Sequence, residues 1–142
     1  MLQKKSRLLN EICDVGMLEE YRNVVDVLLE MIIKKGCRIS IRYDVEYSNI
    51  VDAVDHGSHI RVSLKNVKDP LDIIWKLLHE YGHFLSGKTK SNTSILEREE
   101  LAWRYADEIV KSFPELLAHK EAYNKCKELC LNTYREISSR IP

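Results

Sequence analysis

Three residues that can bind a metal and move a proton lie within one short stretch of this sequence. The segment WKLLHEYGHFLSG, residues 75–87, contains His79, Glu80 and His83 in a run that is otherwise almost free of charge. On a helix the two histidines lie one turn apart on the same face and can direct two ring nitrogens at one point. Glu80 lies one step further round, where it can act as base towards a metal-activated water. The HExxH spacing therefore predicts a zinc site with Glu80 as the catalytic residue.

The segment that carries this motif is typical of a buried helix. Asp69 precedes Pro70, as in an N-cap followed by proline at the first helical position, and Gly87 is a usual helix terminator. We therefore predict a helix from about Pro70 to Ser86. Its other side chains leave scarcely a polar face, which indicates burial. Buried imidazole and carboxylate groups need a partner, and a divalent cation can be that partner. Gly82 has no side chain, so another backbone can approach the motif closely.

A catalytic zinc ion normally takes a third protein ligand and keeps one position open. The segment ILEREELAWRYADEIVKSF, residues 95–113, has helical periodicity and offers Glu97, Glu99 and Glu100. Only Glu99 falls on the apolar stripe of this helix, whereas Glu97 and Glu100 fall among its charged residues. Because an unpaired carboxylate is unfavourable in a core, Glu99 is the expected third ligand. The alternative is a buried salt bridge or hydrogen bond from Glu99 to a neighbour.

The remaining pattern alternates between helical and strand periodicity. Apolar residues at helical spacing predict a helix over residues 17–35 that ends at Gly36, after a shorter helix over residues 2–13. Alternating apolar and polar residues predict a strand over residues 38–48. Two further runs flank the turn-forming tetrapeptide DHGS, so residues 50–64 are predicted to form a β-hairpin.

These elements together predict an α+β fold. We expect a small antiparallel sheet packed against the HExxH helix and its flanking helices. With 142 residues and no linker-like segment, the chain is expected to form a single domain over residues 1–142. Its core spans about residues 17–113, and a last helix covers about residues 115–138.

Composition limits the classes of partner that the sequence suggests. The chain has 22 basic and 22 acidic side chains, so no overall charge draws it to nucleic acid or to acidic lipid. We therefore expect a protein or peptide partner, no direct nucleic acid and no membrane. The apolar stretches are too short for a signal peptide or a membrane span, which predicts a cytoplasmic protein. The cysteines form no CxxC pair and are expected to be reduced structural thiols: Cys13, Cys37, Cys126 and Cys130.

Other residues with suitable chemistry lie outside the two motifs. His56 and His59 flank the predicted hairpin turn and share no helical face with the motif, so both are expected at the surface. The strand through Ile60 and Val62 is expected to form an exposed edge beside the zinc cleft, to which an extended substrate can add as a strand. Three further side chains can in principle stabilise an oxyanion: Tyr105, His119 and Tyr123.

The two motifs taken together resemble the ImmA/IrrE-type zinc metallopeptidases. That family has the pattern HExGH, followed by a helix that carries ExxAxx(F/Y)A, and here LLHEYGHFL is followed by ELAWRYA. The resemblance spans about residues 17–113 and implies a zincin-like metallopeptidase fold of the gluzincin kind. By position it makes His79, His83 and Glu99 the zinc ligands and Glu80 the general base. The continuation DEIVKSFP is more polar than the apolar stretch usual in the family.

The resemblance implies a zinc-dependent peptidase that hydrolyses a peptide bond in a protein substrate. Known members are bacterial and often belong to mobile elements or stress responses, where they cleave a helix-turn-helix transcriptional repressor. Such a repressor is the substrate expected by analogy, in a bacterial or phage setting. One alternative is a catalytically silent zinc-binding interaction module of a mobile-element or toxin/defence system. The other is a metal-free helical scaffold whose histidines are satisfied in the core.

Overall fold

The structure, a computed structural model, describes residues 2–53, 57–87 and 93–139. Within these ranges the chain has six α-helices and three strands, so the expected α+β class is confirmed. The chain divides into two compact units, Met1–Glu80 and Tyr81–Pro142, and the division falls inside one continuous helix. None of the described helices combines the length and the apolar character needed to cross a membrane.

The first unit begins with two helices, α1 (Leu2–Val15) and α2 (Arg22–Lys34), joined by a 3₁₀ turn at Glu19–Tyr21. The sequence predicted that the second helix begins at residue 17, but Met17 has a φ of 58° and lies in the left-handed region. That conformation ends the preceding helix, so α2 begins five residues later than expected. Gly36 ends α2 as expected, with a φ of 90°.

Three strands follow, β1 (Arg38–Arg42), β2 (Asn49–Ala53) and β3 (Gly57–Ser63). The hairpin prediction is confirmed, because β2 and β3 are antiparallel neighbours. The prediction of an antiparallel sheet is wrong, because β1 pairs with β3 in parallel and the sheet is mixed, in the order β1-β3-β2. Alternation of apolar and polar residues sets the two faces of a strand but not its neighbours, so it could not reveal this order.

The central position of β3 also overturns the prediction that this strand is an exposed edge. Both sides of β3 are hydrogen-bonded, to β1 and to β2, and Ile60 and Val62 are fully buried. An extended substrate therefore cannot add to β3. The predicted turn between β2 and β3 includes Asp55 and His56, which lie outside the described residues.

Helix α3 (Leu71–Ser86) has nearly the bounds that the sequence predicts. The backbone N–H of Leu71 donates to Asp69 Oδ1 at 3.0 Å, which confirms Asp69 as the capping residue. Gly87 ends the helix with a φ of 66°.

The core of the first unit includes one apolar face of the sheet and apolar residues of α2 and α3: Leu28, Leu29, Ile32, Ile39, Ile60, Ile74 and Trp75.

The second unit contains α4 (Ile95–Lys111), α5 (Pro114–Leu117) and α6 (Lys120–Ser139). Ser94 caps α4 by accepting from the backbone N–H of Glu97. The last helix was predicted to run unbroken over residues 115–138, but it is divided by a turn at residues 118–119. Residues on both sides of the turn are buried, Leu116 before it and Tyr123 after it.

Candidate metal centre

The two histidines of the motif lie one turn apart on α3. His79 is buried, with 8% of its surface exposed, and His83 is half-buried. The apolar side chains around them are among the largest fully buried groups of the protein: Trp75, Leu77 and Tyr81. The prediction that the HExxH segment is a buried helix is therefore confirmed.

Helix α4 approaches α3 at the glycine of the motif. A Cβ atom placed on Gly82 would lie 2.1 Å from the carbonyl oxygen of Ala102, closer than any real side chain allows. The two backbones can meet only because residue 82 has no side chain and Ala102 has a small one. This confirms the expectation that Gly82 admits a neighbouring backbone. Glu99 lies one turn before Ala102 on the same face of α4 and is carried towards the motif.

Glu99 is the carboxylate that reaches the motif from α4. Its Oε2 atom lies 3.0 Å from His83 Nε2, and the residue is 7% exposed. Glu97 is exposed and Glu100 is half-buried, so the burial pattern separates the three glutamates as the sequence predicted. The expected alternative, a buried salt bridge or hydrogen bond between Glu99 and a neighbour, also describes this contact with His83.

The three groups converge closely enough to hold a cation. His79, His83 and Glu99 each direct one ligand atom to a common region, and these atoms all lie within 4.8 Å of one another. Nitrogen and oxygen ligands at about 2.1 Å from a tetrahedral zinc ion would be about 3.4 Å apart. The separation of 4.8 Å exceeds that spacing by about 1.4 Å, which small side-chain rotations can remove. The cluster can hold a metal ion.

Glu80 lies beside this cluster. Its Oε1 atom is 3.8 Å from His79 Nδ1, and the residue is 8% exposed. The site therefore places two carboxylates and two imidazoles in largely buried surroundings. Carboxylates removed from water are stabilised by an opposite charge, and neutral imidazoles by a partner for a nitrogen lone pair; a divalent cation bound by the cluster would supply both.

The other residues singled out in the sequence have different environments. His59 lies on β3, is half-buried rather than on the surface, and its Nε2 atom is 2.7 Å from Ser40 Oγ. Tyr105 is 39% exposed, and His119 is half-buried in the turn before α6.

Tyr123 is held within the second unit. Its hydroxyl group donates to Asp107 Oδ1 at 2.6 Å, and Lys127 Nζ donates to the other carboxylate oxygen at 2.9 Å. Burial, and then the hydrogen bond to Asp107, raise the pKa of Tyr123. The ring packs edge-on against Trp103 at 5.8 Å between centroids. These contacts join α4 to α6, so the hydroxyl of Tyr123 has a packing role.

All four cysteines are free thiols, as the sequence predicted. Three of them are buried, and burial raises the pKa of Cys37 to about 11. Raised pKa values make thiols poor metal ligands and poor nucleophiles at neutral pH.

Comparison of the chain with models of known protein families, with curated proteins and with solved structures finds no match.

Proposed function

We propose that this chain is a zinc-dependent peptidase of the ImmA/IrrE type. The observation that carries the proposal is the convergence of His79, His83 and Glu99, whose ligand atoms lie within 4.8 Å of one another. The two histidines belong to an HExxH segment, and the glutamate comes from a separate helix. Two histidines and one glutamate are a ligand set typical of catalytic zinc in peptidases.

In this proposal three residues bind the metal ion and a fourth, Glu80, transfers a proton. His79 and His83 would hold the cation through their ring nitrogens, and Glu99 would add a carboxylate oxygen that offsets part of its charge. Zinc bound there would supply Lewis acidity towards a substrate carbonyl and would acidify a water molecule. Glu80 would serve as the general base, taking up a proton and passing it to the leaving amine. The products are the two fragments of a hydrolysed peptide bond.

The substrate in this proposal is a protein or peptide. A helix-turn-helix transcriptional repressor of a bacterium or phage is the candidate by analogy with the family that the motifs resemble, and the setting is the cytoplasm. This part rests on the spacing of HEYGH and of ELAWRYA. The oxyanion donor is not assigned, and Tyr123 is a poor candidate because its hydroxyl already donates to Asp107.

One alternative has an observation in its favour. Glu80 is only 8% exposed and lies near His79, which limits the access of a substrate to the base. Such a site suits a catalytically silent zinc-binding interaction module of a mobile-element or toxin/defence system. The two functions share the metal and differ in turnover.

The test combines zinc content with hydrolysis of fluorescently quenched casein. We expect about one zinc ion per chain in the wild type, and measurable casein hydrolysis that chelation removes. Glu80→Gln should keep the zinc and lose hydrolysis, because it removes the base but none of the three ligands. Glu97→Gln makes the same chemical change at an exposed position of α4 and should keep both properties.

Zinc content and casein hydrolysis together distinguish a peptidase, a zinc-binding module and a metal-free scaffold. Zinc without hydrolysis in the wild type, and no change in Glu80→Gln, would replace the peptidase by the binding module. A wild type that holds no zinc after incubation with the ion would remove both and leave the metal-free scaffold.

A further inference from the structure

One face of the three-stranded sheet carries polar and basic side chains. In β1 these are Arg38, Ser40 and Arg42, which alternate with buried or half-buried isoleucines. The register places Arg38 opposite His59 and Ser40 opposite Arg61, so β3 presents the same kind of side chain on this face. Asn49 of β2 lies opposite Arg61. We name this surface the cationic sheet face: Arg38, Ser40, Arg42, Asn49, His59 and Arg61.

The positive charges of this face are poorly balanced. Within the described part of the chain, neither Arg38 nor Arg61 has an ion-pair partner, and Arg42 reaches only Asp44 at 4.0 Å. Lys4 of α1 adds a further positive charge nearby. Burial, and then the charges of Arg38, Arg42, Lys4 and Arg61, lower the pKa of His59. A chain with zero net charge thus concentrates positive charge on one side of its sheet.

Hydrogen bonds hold several of these groups in place. The Nε atom of Arg61 donates to Asn49 Oδ1 at 2.8 Å, and His59 Nε2 lies 2.7 Å from Ser40 Oγ. Arg42 differs, because its Nε atom is covered and has no hydrogen-bond partner among the described residues. This arginine therefore gives up little internal bonding if it reorients towards an anion, and an anion would satisfy a donor that the fold leaves unused.

We propose that the cationic sheet face binds single-stranded nucleic acid. Arginine presents its N–H groups in a fork that fits two oxygens of a phosphate, and the strands place three arginines on this face. Ser40 and Asn49 are neutral groups of the kind that also contact phosphate and sugar. Every charged group of the face is thus of a type that binds a phosphate backbone.

Two features favour a single strand over a duplex or an acidic peptide. Tyr47 is 73% exposed, and its carbonyl oxygen accepts from Asn49 Nδ2, so an open aromatic ring adjoins the face. Exposed aromatic rings beside a basic surface stack on unpaired bases, which neither a duplex nor an acidic peptide offers. A flexible strand can also fit its phosphates to a sheet surface, whereas a duplex holds its phosphates on a fixed curve.

This binding site shares no residue with the proposed metal centre and does not rest on the proposed peptidase. The test uses the whole chain and a fluorescein-labelled oligothymidylate of about 12 nucleotides, followed by fluorescence anisotropy at several salt concentrations. The test variant is Arg38→Gln/Arg61→Gln. The control Lys34→Gln/Lys35→Gln removes the same charge from exposed positions at the end of α2. Circular dichroism checks that both variants are folded.

We expect the wild type and the control to bind the oligothymidylate equally, with or without a chelator. Each phosphate contact on a single strand adds about 0.7 to the slope of log affinity against log salt, so the test variant should bind more weakly with a slope lower by about 1.4. If both variants lost the same affinity for the oligothymidylate, the loss would reflect the net charge of the chain alone, and the proposal would be overturned. Preference of the wild type for a polyglutamate competitor or for duplex DNA over the oligothymidylate would overturn it as well.

Discussion

His83 Nε2 lies 3.0 Å from Glu99 Oε2, although the two residues are 16 positions apart and belong to different helices. The contact depends on the backbone of α4 lying against Gly82, because only that approach carries a residue one turn before Ala102 to the motif. The distance between the two ligand atoms is already close to that around a tetrahedral zinc ion, about 3.4 Å. Metal binding therefore needs little movement of α4 relative to the C-terminal half of α3.

Zinc should stabilise the folded chain through this cluster. A metal that binds only the folded state adds about 2.7 kcal/mol to the free energy of unfolding when its free concentration is about a hundred times its dissociation constant. We expect zinc to raise the midpoint of thermal unfolding of the wild type and a chelator to reverse the shift. Glu99→Ala should lose the shift, whereas Glu97→Ala, at an exposed position of the same helix, should keep it. An equal shift in Glu99→Ala would exclude Glu99 as a ligand.

Gly82→Ala should destabilise the second unit and weaken zinc binding. The added methyl group would lie 2.1 Å from a backbone carbonyl oxygen, so α3 and α4 must separate. Overpacking of this kind costs about 1 to 3 kcal/mol, which urea unfolding measures. Gly87→Asn is the matched control, because a Cβ atom at residue 87 would meet no atom of the described residues within 4 Å and asparagine tolerates a positive φ. Wild-type stability in Gly82→Ala would contradict the close approach.

Cys37 should make the chain less stable at alkaline pH. Burial raises its pKa from 9.0 to about 11, so between these values the folded chain holds a proton that the unfolded chain has lost. The free energy of unfolding must then decrease as pH rises through this interval. Urea unfolding at about pH 8 and about pH 10 should show a smaller decrease in Cys37→Ala than in the wild type. The decrease should remain in Cys130→Ala, which removes a less buried thiol.

Tyr123→Phe should loosen α6 from α4. The change removes the hydroxyl group that donates to Asp107 and leaves the carboxylate with the bond from Lys127. Loss of one partner of a buried hydrogen bond costs about 1 to 3 kcal/mol in the free energy of unfolding. Tyr105→Phe is the control, because that side chain is 39% exposed and should be near neutral. If the two variants were equally stable, the bond to Asp107 would have no net effect.

The residues of the metal cluster were predictable because the pattern of each single helix selects them. The cap at Asp69 and the terminator at Gly87 bound α3, and helical spacing alone aligns His79 with His83. Glu99 could be chosen because it is the one acid on the apolar face of α4, and the structure buries it beside His83. What the sequence could not give is the length of these contacts, which is set by the packing of one helix on another.

The sheet was less predictable because strand neighbours are set by contacts distant in sequence. Residues 43–48 were expected to belong to the first strand, but β1 ends at Arg42 and the chain continues to β2 on the far side of β3. The cationic sheet face was missed for another reason. Net charge sums over all faces, whereas the alternation in RISIR and in HIRVS already places the basic residues on one side.

The order β1-β3-β2 has a consequence for the order in which the protein can form. During synthesis β1 and β2 leave the ribosome before β3, yet β3 is the strand with which each of them pairs. The two earlier strands therefore have no hydrogen-bonding neighbour in the sheet until Gly57–Ser63 has emerged. The parallel pair must also close a longer loop than the hairpin, so the hairpin is expected to form first and β1 to join it afterwards.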